Sequence, residues 1–442
     1  MICLTGNETE PKKIISRLTN FSGLNEIRLD FLSDIPSDII KILSPWKSKV
    51  IITHRHRNFS KSINLLSPFI SENFFLVDIE LDKYLSSSEY LNSISKDNLL
   101  ISWHGDADLF LDALKIFRQL PDYRYKFAVK IKSVDQLKYL KASIEEFPGS
   151  IVIATGQNGL YTRLRYQDFG SYLTFLSLNS ESITDSGQIP YEKAIASRIL
   201  ENNLNPVFLL GGQNVFSSPG MRVYNRIFKK NSFPFCYINQ SCEDIPDLKR
   251  FLTITNSPGC SITMPLKTDL MKQCDNIDKT SEISSSVNTV ILRNNKLSGF
   301  NTDFLAFTQI FKENSFKNVV IAGNGATSKT AVGALKELGF SGKITLLPRN
   351  SKLTEKVFSD TLFINTLPLE VNSSSHPFDI TNRRIKSSIL LDLPVWNRNF
   401  YSVFDTIIPG DYFWRLQGIP QIFLITGQSI SMEDIEADFD LY

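Results

Sequence analysis

Apolar runs return along the N-terminal half of the chain roughly every 20 to 30 residues, each closing on polar or ionisable positions and followed by a stretch with helical spacing. They are Ile2–Thr5, Glu26–Asp30, Val50–His54, Phe75–Leu81, Leu99–His104, Tyr125–Ile131, Ile151–Thr155 and Leu173–Leu178. No two are joined by a two-residue Asn-Gly hairpin turn, so the pattern reads as parallel strands with helical crossovers. Eight such units are the count of a (β/α)8 barrel. A doubly wound open sheet gives the same alternation, and the chemistry at the strand ends separates the two.

A short polar stretch, Glu201–Asn205, ends this repeat, and Pro206-Val207-Phe208-Leu209-Leu210-Gly211-Gly212 opens a new apolar strand. Further on, Asn318-Val319-Val320-Ile321-Ala322 has the composition of a buried strand. It runs into Gly323-Asn324-Gly325-Ala326-Thr327-Ser328 and then a helical stretch, Lys329–Leu338. This is a strand-to-helix turn in which glycines let the backbone approach a pyrophosphate at a helix N-terminus. A lone Gly-x-Gly also marks an ordinary tight turn. The next strand, Lys343–Leu347, ends in Pro348-Arg349-Asn350, where an NAD site would carry an acidic residue. A basic residue there suits a 2′-phosphate, so NADP is expected over NAD.

With 442 residues the chain is too long for one ordinary core. Its 48 Lys and Arg nearly balance 46 Asp and Glu, leaving no broad basic field for a nucleic acid or an anionic membrane; small metabolites are the expected ligands. Five cysteines without a C-x-x-C pair argue against a disulfide framework and a zinc ribbon, and suit a reducing cytoplasm. Met1–Thr5 leads straight into polar sequence, so neither a secretory leader nor a membrane span is expected.

Glu26 and Arg28 share one face of the second run, Arg55 closes the third, His104 closes the fifth, Lys126 lies within the sixth and Arg163 follows the seventh. In a barrel the C-terminal strand ends meet in one pocket, where these dispersed residues would converge. Lys126 is flanked by Tyr125 and by Phe127-Ala128-Val129, a setting that predicts a desolvated, neutral amine; it also suits a lysine snorkelling from a strand end. His104 reads either as an acid/base or as a structural ring. Together they suit imine formation with a ketone, then proton transfer and elimination.

From about Met1 to Asn203 the chain resembles type I 3-dehydroquinate dehydratase, through Glu26-Ile27-Arg28-Leu29-Asp30, Asp78-Ile79-Glu80, Ser102-Trp103-His104, Lys126-Phe127-Ala128, Gly159-Leu160-Tyr161-Thr162-Arg163 and Gly187-Gln188-Ile189. The resemblance implies that Lys126 forms the imine and that His104 assists loss of water. It also implies that Glu26, Arg28, Arg55, Arg163, Thr184 and Gln188 bind the substrate's hydroxyls and carboxylate. Three positions depart from the family: Phe59 stands where a glutamate pairs with the histidine, and Thr184 and Ser186 replace a serine and a proline.

In the C-terminal half, Gly259-Cys260-Ser261-Ile262-Thr263-Met264-Pro265-Leu266-Lys267 sets two hydroxyls and a lysine in one short run, and Ser298-Gly299-Phe300-Asn301-Thr302-Asp303 brings an aspartate just before the nucleotide-binding unit. A lysine and an aspartate across a cleft can move a proton while hydride passes to or from a nicotinamide; an ordinary surface ion pair is the plainer alternative. From about Pro206 onward the chain resembles shikimate dehydrogenase, through these two segments, Val287-Asn288-Thr289, Ile364-Asn365-Thr366-Leu367-Pro368-Leu369 and Gln417–Gly427. That resemblance implies catalysis by Lys267 and Asp303 and substrate contacts from Ser218, Ser261, Thr263, Asn288 and Gln417. Cofactor contacts would come from Gly323, Asn324, Gly325, Ala326, Arg349, Asn350 and Thr366. Gly220 stands where the family has a second serine.

The expected architecture is α/β: a (β/α)8 barrel over 1–203, then a two-lobed dehydrogenase with a substrate-binding domain over 206–304, completed by 411–442, and a Rossmann-type NADP-binding domain over 305–410. The expected activity is Schiff-base dehydration of 3-dehydroquinate to 3-dehydroshikimate, followed by NADPH-dependent reduction to shikimate. Two alternatives stand beside it. Phe59 prompts a barrel kept only as a binding module, and the dehydrogenase half could instead take quinate with NAD.

Overall fold

The computed structural model describes residues 1–56, 58–94, 97–185, 187–349, 351, 359–367, 378, 385–394 and 404–439. The chain divides into two compact units. One comprises Met1–Asn205, Phe216–Arg226 and Cys236–Asn256, the other Pro206–Val215, Ile227–Phe235 and Ser257–Tyr442.

In the first unit, β1 (Ile2–Thr5), β2 (Leu24–Arg28), β3 (Val50–Thr53), β4 (Leu76–Glu80), β5 (Leu99–Asp106), β6 (Arg124–Lys130), β7 (Ile151–Thr155) and β8 (Thr174–Ser177) form one parallel sheet in the order β7-β6-β5-β4-β3-β2-β1-β8. These are the eight apolar runs of the sequence, with bounds moved by at most two residues. The sheet curls into a nearly closed barrel. At the seam between β7 and β8, Tyr172 N–H donates to Ser150 O at 2.9 Å and Val152 N–H to Ser171 Oγ at 2.9 Å.

Side chains alternate between the two faces of a strand. One set faces inward, and at the base of the barrel Cys3, Leu24, Ile51, Leu76, Leu100, Ile151, Leu173 and Phe175 pack into an apolar layer. The other set meets the surrounding helices. The Ala107–Phe117 helix buries Phe110, Ala113, Leu114 and Phe117 at helical spacing, and Phe110 and Phe117 meet the Phe127 ring edge-on at 5.4 and 4.9 Å. Apolar filling at the base leaves the C-terminal strand ends free for polar groups.

After the barrel come β9 (Asn205–Gly211) and β10 (Phe235–Ser241). Residues 236–241 and the Leu248–Ile254 helix belong to the first unit, where that helix packs beside the Leu137–Glu146 helix.

The second unit continues with β11 (Gly259–Ile262), β12 (Asn276–Ile277), β13 (Thr289–Arg293) and β14 (Lys296–Phe300), ordered β9-β11-β13-β14-β12. β9 and β11 are parallel, while β13 runs antiparallel to both β11 and β14. A parallel sheet follows, of β15 (Asn318–Ala322), β16 (Lys343–Leu347), β17 (Thr361–Asn365), β18 (Ile385–Asp392) and β19 (Phe404–Pro409) in the order β16-β15-β17-β18-β19. Its strands are apolar on both faces, as a covered parallel sheet requires. Val319, Ile321, Leu362, Ile364 and Leu391 pack with Phe304, Phe307 and Ile310 of the Thr302–Glu313 helix, and Val320, Phe363 and Leu390 pack on the opposite face. Among the described residues no helix is long and apolar enough to cross a membrane. None of the five cysteines is joined in a disulfide.

Candidate active sites

The first site lies at the C-terminal mouth of the barrel. Period-two alternation turns Glu26 and Arg28 of β2, Glu80 of β4, His104 of β5 and Lys126 of β6 inward. They line one cavity of about 660 Å³ with Arg55, Arg163, Thr184 and Gln188, so the barrel residues singled out in the sequence meet around one space.

Lys126 is where the structure corrects the sequence. Tyr125 and Phe127 adjoin it along the chain but face the helices, packing on Phe117 and Phe147. The amine itself meets Asp78 Oδ2 at 3.0 Å and Glu26 Oε1 at 3.7 Å, and lies 4.3 Å from the centre of the Phe175 ring. Its surround is therefore carboxylate and aromatic rather than apolar, because neighbours in a strand point to opposite faces.

Asp78 is the hub beneath the cavity. Fully buried, it accepts from Arg55 Nη2 at 2.8 Å, Lys126 Nζ at 3.0 Å and Ser102 Oγ at 2.5 Å. Burial alone would raise its carboxyl, but the Arg55 and Lys126 cations prevail and hold it well below the usual carboxylate range. Arg55 also faces Glu80 at 3.2 Å, donates to Ser102 Oγ at 3.1 Å, and approaches His104 Nε2 at 3.0 Å. His104 is exposed and lines the cavity. The barrel atoms packed around it, with the Arg55 and Lys126 charges, push the imidazole well below its ordinary 6.5.

The remaining barrel residues are held in pairs. Glu26 Oε1 accepts from Thr53 Oγ1 at 2.9 Å, and Arg28 clamps Asp30 through two hydrogen bonds of 3.0 and 2.6 Å. Gln188 Oε1 accepts from Thr184 N–H at 2.8 Å, while its Nε2 donates to Thr5 Oγ1 at 2.7 Å. Arg163 pairs with Asp185 and donates to Phe175 O at 3.3 Å. Ser186 lies outside the described residues. The role of Asp78 escaped the residue-by-residue reading although its alternation with Glu80 was the available signal; Ser102 and Phe175 carry no comparable mark.

The second site is in the second unit. Lys267 opens a short helix, Lys267–Met271, and Asp303 lies in the first turn of the Thr302–Glu313 helix, where the helix dipole favours a carboxylate. Lys267 Nζ stands 2.5 Å from Asp303 Oδ2. The other carboxylate oxygen accepts from Asn288 Nδ2 at 2.9 Å, and Asn288 Oδ1 accepts the Thr302 N–H at 2.8 Å. Gln417 Oε1 lies 3.4 Å from both Asn288 Nδ2 and Thr302 Oγ1. Lysine, aspartate, asparagine and glutamine from four segments thus form one network, with Thr302 and Gln421 as further members that the sequence reading did not name; Gln421 Nε2 donates to Asn288 O at 2.9 Å.

Ser261 is buried on β11 opposite Thr289, and Thr263 N–H donates to Leu210 O at 2.9 Å. Ser218 belongs to the first unit, where its Oγ accepts the Gly220 N–H at 3.3 Å. The glycine at 220 has a steric cause: a Cβ there would lie 2.8 Å from the Tyr237 ring, so the family's serine would force that ring to move.

The Gly323–Ala326 turn fits a dinucleotide. Gly323 adopts φ +114°, and a Cβ on it would fall 2.2 Å from Thr366 Oγ1, so only glycine keeps the turn tight against the end of β17. Thr366 Oγ1 is fixed by Ala322 O at 2.7 Å and Ser328 Oγ at 2.8 Å. Asn324 and Gly325 are exposed, and Ala326 opens the Ala326–Glu337 helix, whose first-turn N–H groups suit a phosphate. Arg349 is exposed just past β16, whereas Asn350, Pro368 and Leu369 lie outside the described residues.

Family comparisons agree with this division. The type I 3-dehydroquinase model matches residues 1–198, and the shikimate dehydrogenase substrate binding domain matches 210–290. The chain is similar to the shikimate biosynthesis protein AroDE of Chlamydia pneumoniae, 24% identical over 77% of this chain and 74% of that one. It is also similar to the bifunctional 3-dehydroquinate dehydratase/shikimate dehydrogenase, chloroplastic, of Arabidopsis thaliana, 24% identical over 72% of this chain. A shikimate dehydrogenase (NADP(+)) of Clostridium botulinum is 31% identical over 31% of this chain. The matches span 59% of the plant protein and 56% of the clostridial one.

Proposed function

We propose that one chain dehydrates 3-dehydroquinate and then reduces the product to shikimate with NADPH, from the premise that residues 1–198 match the type I 3-dehydroquinases and residues 210–290 the shikimate dehydrogenase substrate binding domain. The observation that carries the reading is the gathering of Lys126, His104, Arg55 and Arg163 around one cavity, in a chain that also joins Lys267 to Asp303.

In the barrel, Lys126 Nζ attacks the substrate ketone, and loss of water from the adduct leaves an imine. The imine draws electrons from the neighbouring carbon, whose proton passes to neutral His104. The β-hydroxyl then departs with the proton that His104 returns, and hydrolysis frees Lys126 and 3-dehydroshikimate. Arg163 pairs with the carboxylate, while Glu26, Arg28, Arg55, Thr184 and Gln188 hold the hydroxyls. Phe59 does not leave His104 without a partner, since Arg55 meets it directly; the reading of the barrel as a mere binding module loses its ground.

In the second half Gly323–Ala326, Thr366 and Arg349 would hold NADP, which would supply hydride chemistry when bound. Lys267 holds the proton that the reduced ketone takes up. Asp303, fixed by Asn288, orients the lysine. Ser261, Thr263, Asn288 and Gln417 bind the substrate's polar groups. We assign 1–203 to the dehydratase, 206–304 with 411–442 to the shikimate-binding lobe and 305–410 to the NADP lobe, and place the protein in the cytoplasm.

Borohydride reduction in the presence of 3-dehydroquinate tests the first step. A covalent adduct on Lys126 is expected, and folded protein that gains no adduct there removes the dehydratase claim.

A further inference from the structure

We propose that Tyr161 and Gln240 are positioning residues for Arg163, so that substrate binding in the barrel depends on chain from beyond its eight strands. The inference rests on the reading above that Arg163 binds the substrate's carboxylate. It adds that the segment Cys236–Asn256, which falls within the matched shikimate dehydrogenase domain, serves the dehydratase cavity.

Arg163 stands on a helix of only five residues, Leu160–Leu164. So short a helix has little stability of its own, and its place is set by what it touches. One side is tied to β7, where Thr162 Oγ1 accepts the Ala154 N–H at 2.9 Å. Arg163 reaches the cavity, donates to Phe175 O at 3.3 Å and pairs with Asp185. Its Nε is buried and has no hydrogen-bond partner among the described residues.

Tyr161 precedes Arg163 by two residues, about 200° around a helix, so the two side chains leave opposite faces. Its N–H, one of the first-turn donors that no helical carbonyl can satisfy, donates to Gln240 Oε1 at 3.2 Å. Its hydroxyl donates to Thr255 O at 3.4 Å. Gln240 is fully buried, and its own Nε2 donates to Ser241 O at 2.9 Å, which fixes the amide. Thr255 follows the Leu248–Ile254 helix and is anchored to it through Oγ1 to Phe251 O at 2.8 Å. That helix lies beside Leu137–Glu146, with Arg250 facing Asp135 at 3.7 Å.

The outer face of the arginine-bearing helix is therefore held by a side chain and a carbonyl some 80 to 95 residues further along the chain. Lys126 and His104 stand on β6 and β5, not on the helix that this anchor holds. Loosening it should displace the guanidinium and spare the reacting groups, raising KM while leaving kcat.

The test uses the full-length protein with 3-dehydroquinate. Tyr161→Phe removes one oxygen, and Gln240→Ala removes the acceptor of the helix N–H. Each is expected to raise KM about threefold to tenfold, the worth of roughly one hydrogen bond, with kcat within about twofold of wild type. Arg163→Ala should raise KM further. Adding Gln240→Ala to Arg163→Ala should then change KM no more, because the residue being positioned is gone. If Arg163→Ala leaves KM unchanged, the assignment of Arg163 is wrong. If it raises KM while Tyr161→Phe and Gln240→Ala do not, or if the double variant is fully additive, the positioning proposal is overturned.

Discussion

Arg55 Nη2 stands 3.0 Å from His104 Nε2, and since a guanidinium keeps its protons, that ring nitrogen must be the acceptor. The resting imidazole is then neutral, with its hydrogen on Nδ1. A glutamate in the same role would draw a proton onto the ring; an arginine opposes it. Arg55 is itself fixed by Asp78 and Glu80, and the Asp78 charge, which favours a proton on His104, is outweighed by the Arg55 cation.

The pH dependence of dehydration should show this. In the wild-type enzyme the acid limb of kcat/KM set by His104 is expected well below pH 6.5, the direction in which burial, Arg55 and Lys126 push the ring. Arg55→Gln should lower kcat/KM and move that limb upward toward 6.5. The sign for stability is the same: below 6.5 the unfolded chain takes up a proton that the folded ring refuses, so this residue's contribution falls as pH drops toward the folded value. A pH profile of both proteins decides it.

In the second site, Asp303→Asn keeps the shape but not the charge facing Lys267 at 2.5 Å. Reduction of 3-dehydroshikimate is expected to lose roughly 10²–10⁴ in kcat with a small change in KM, the usual size for a disturbed acid/base group. Steady-state kinetics with saturating NADPH measure the split; a loss confined to KM would reassign Asp303 to binding.

Arg349 is expected to read the 2′-phosphate from its exposed place after β16. Arg349→Ala should lower kcat/KM for NADPH by roughly tenfold or more and leave NADH nearly unchanged, since only one of the two carries the phosphate. Equal losses with both cofactors would remove that role. The same comparison, run with quinate as well as shikimate, decides between the two substrates.

How much of this was legible in the sequence follows from what a periodic pattern records. The eight barrel strands and the turn at Gly323 are local signals, fixed by runs of apolar residues and by a glycine at positive φ, and they appear at their expected places. What surrounds a side chain is not local. Tyr125 and Phe127 suggested an apolar pocket for Lys126, but alternation sends them outward and the amine inward to Asp78, 48 residues away. Gly220 likewise stands out along the chain only as a missing serine, and the ring of Tyr237, brought against it from another element, gives the reason. Motifs located the candidate residues; their partners came from tertiary packing.

Asp392 offers a test of burial itself. It ends β18 in register with Asn365 of β17, is fully buried, and accepts from Asn365 Nδ2 at 2.7 Å through one oxygen, while the other has no hydrogen-bond partner among the described residues. Burial, only partly offset by Asn365, pushes its carboxyl up to about 6 from the ordinary 3.8. Between those values the folded chain holds a proton that the unfolded chain has released, so the stability contributed by the neutral acid is present below 3.8 and lost as pH rises through about 6. At pH 8 the buried charge should cost on the order of 3 kcal/mol, or several degrees in Tm. Asp392→Asn is neutral at every pH and can still accept from Asn365, but its new N–H donors add a cost that pH does not change. The informative quantity is therefore the variant's Tm relative to wild type at pH 8 less the same difference at pH 5. A positive result is expected, and thermal melts showing the same difference at both pH values would mean that the Asp392 charge is not what the fold pays for.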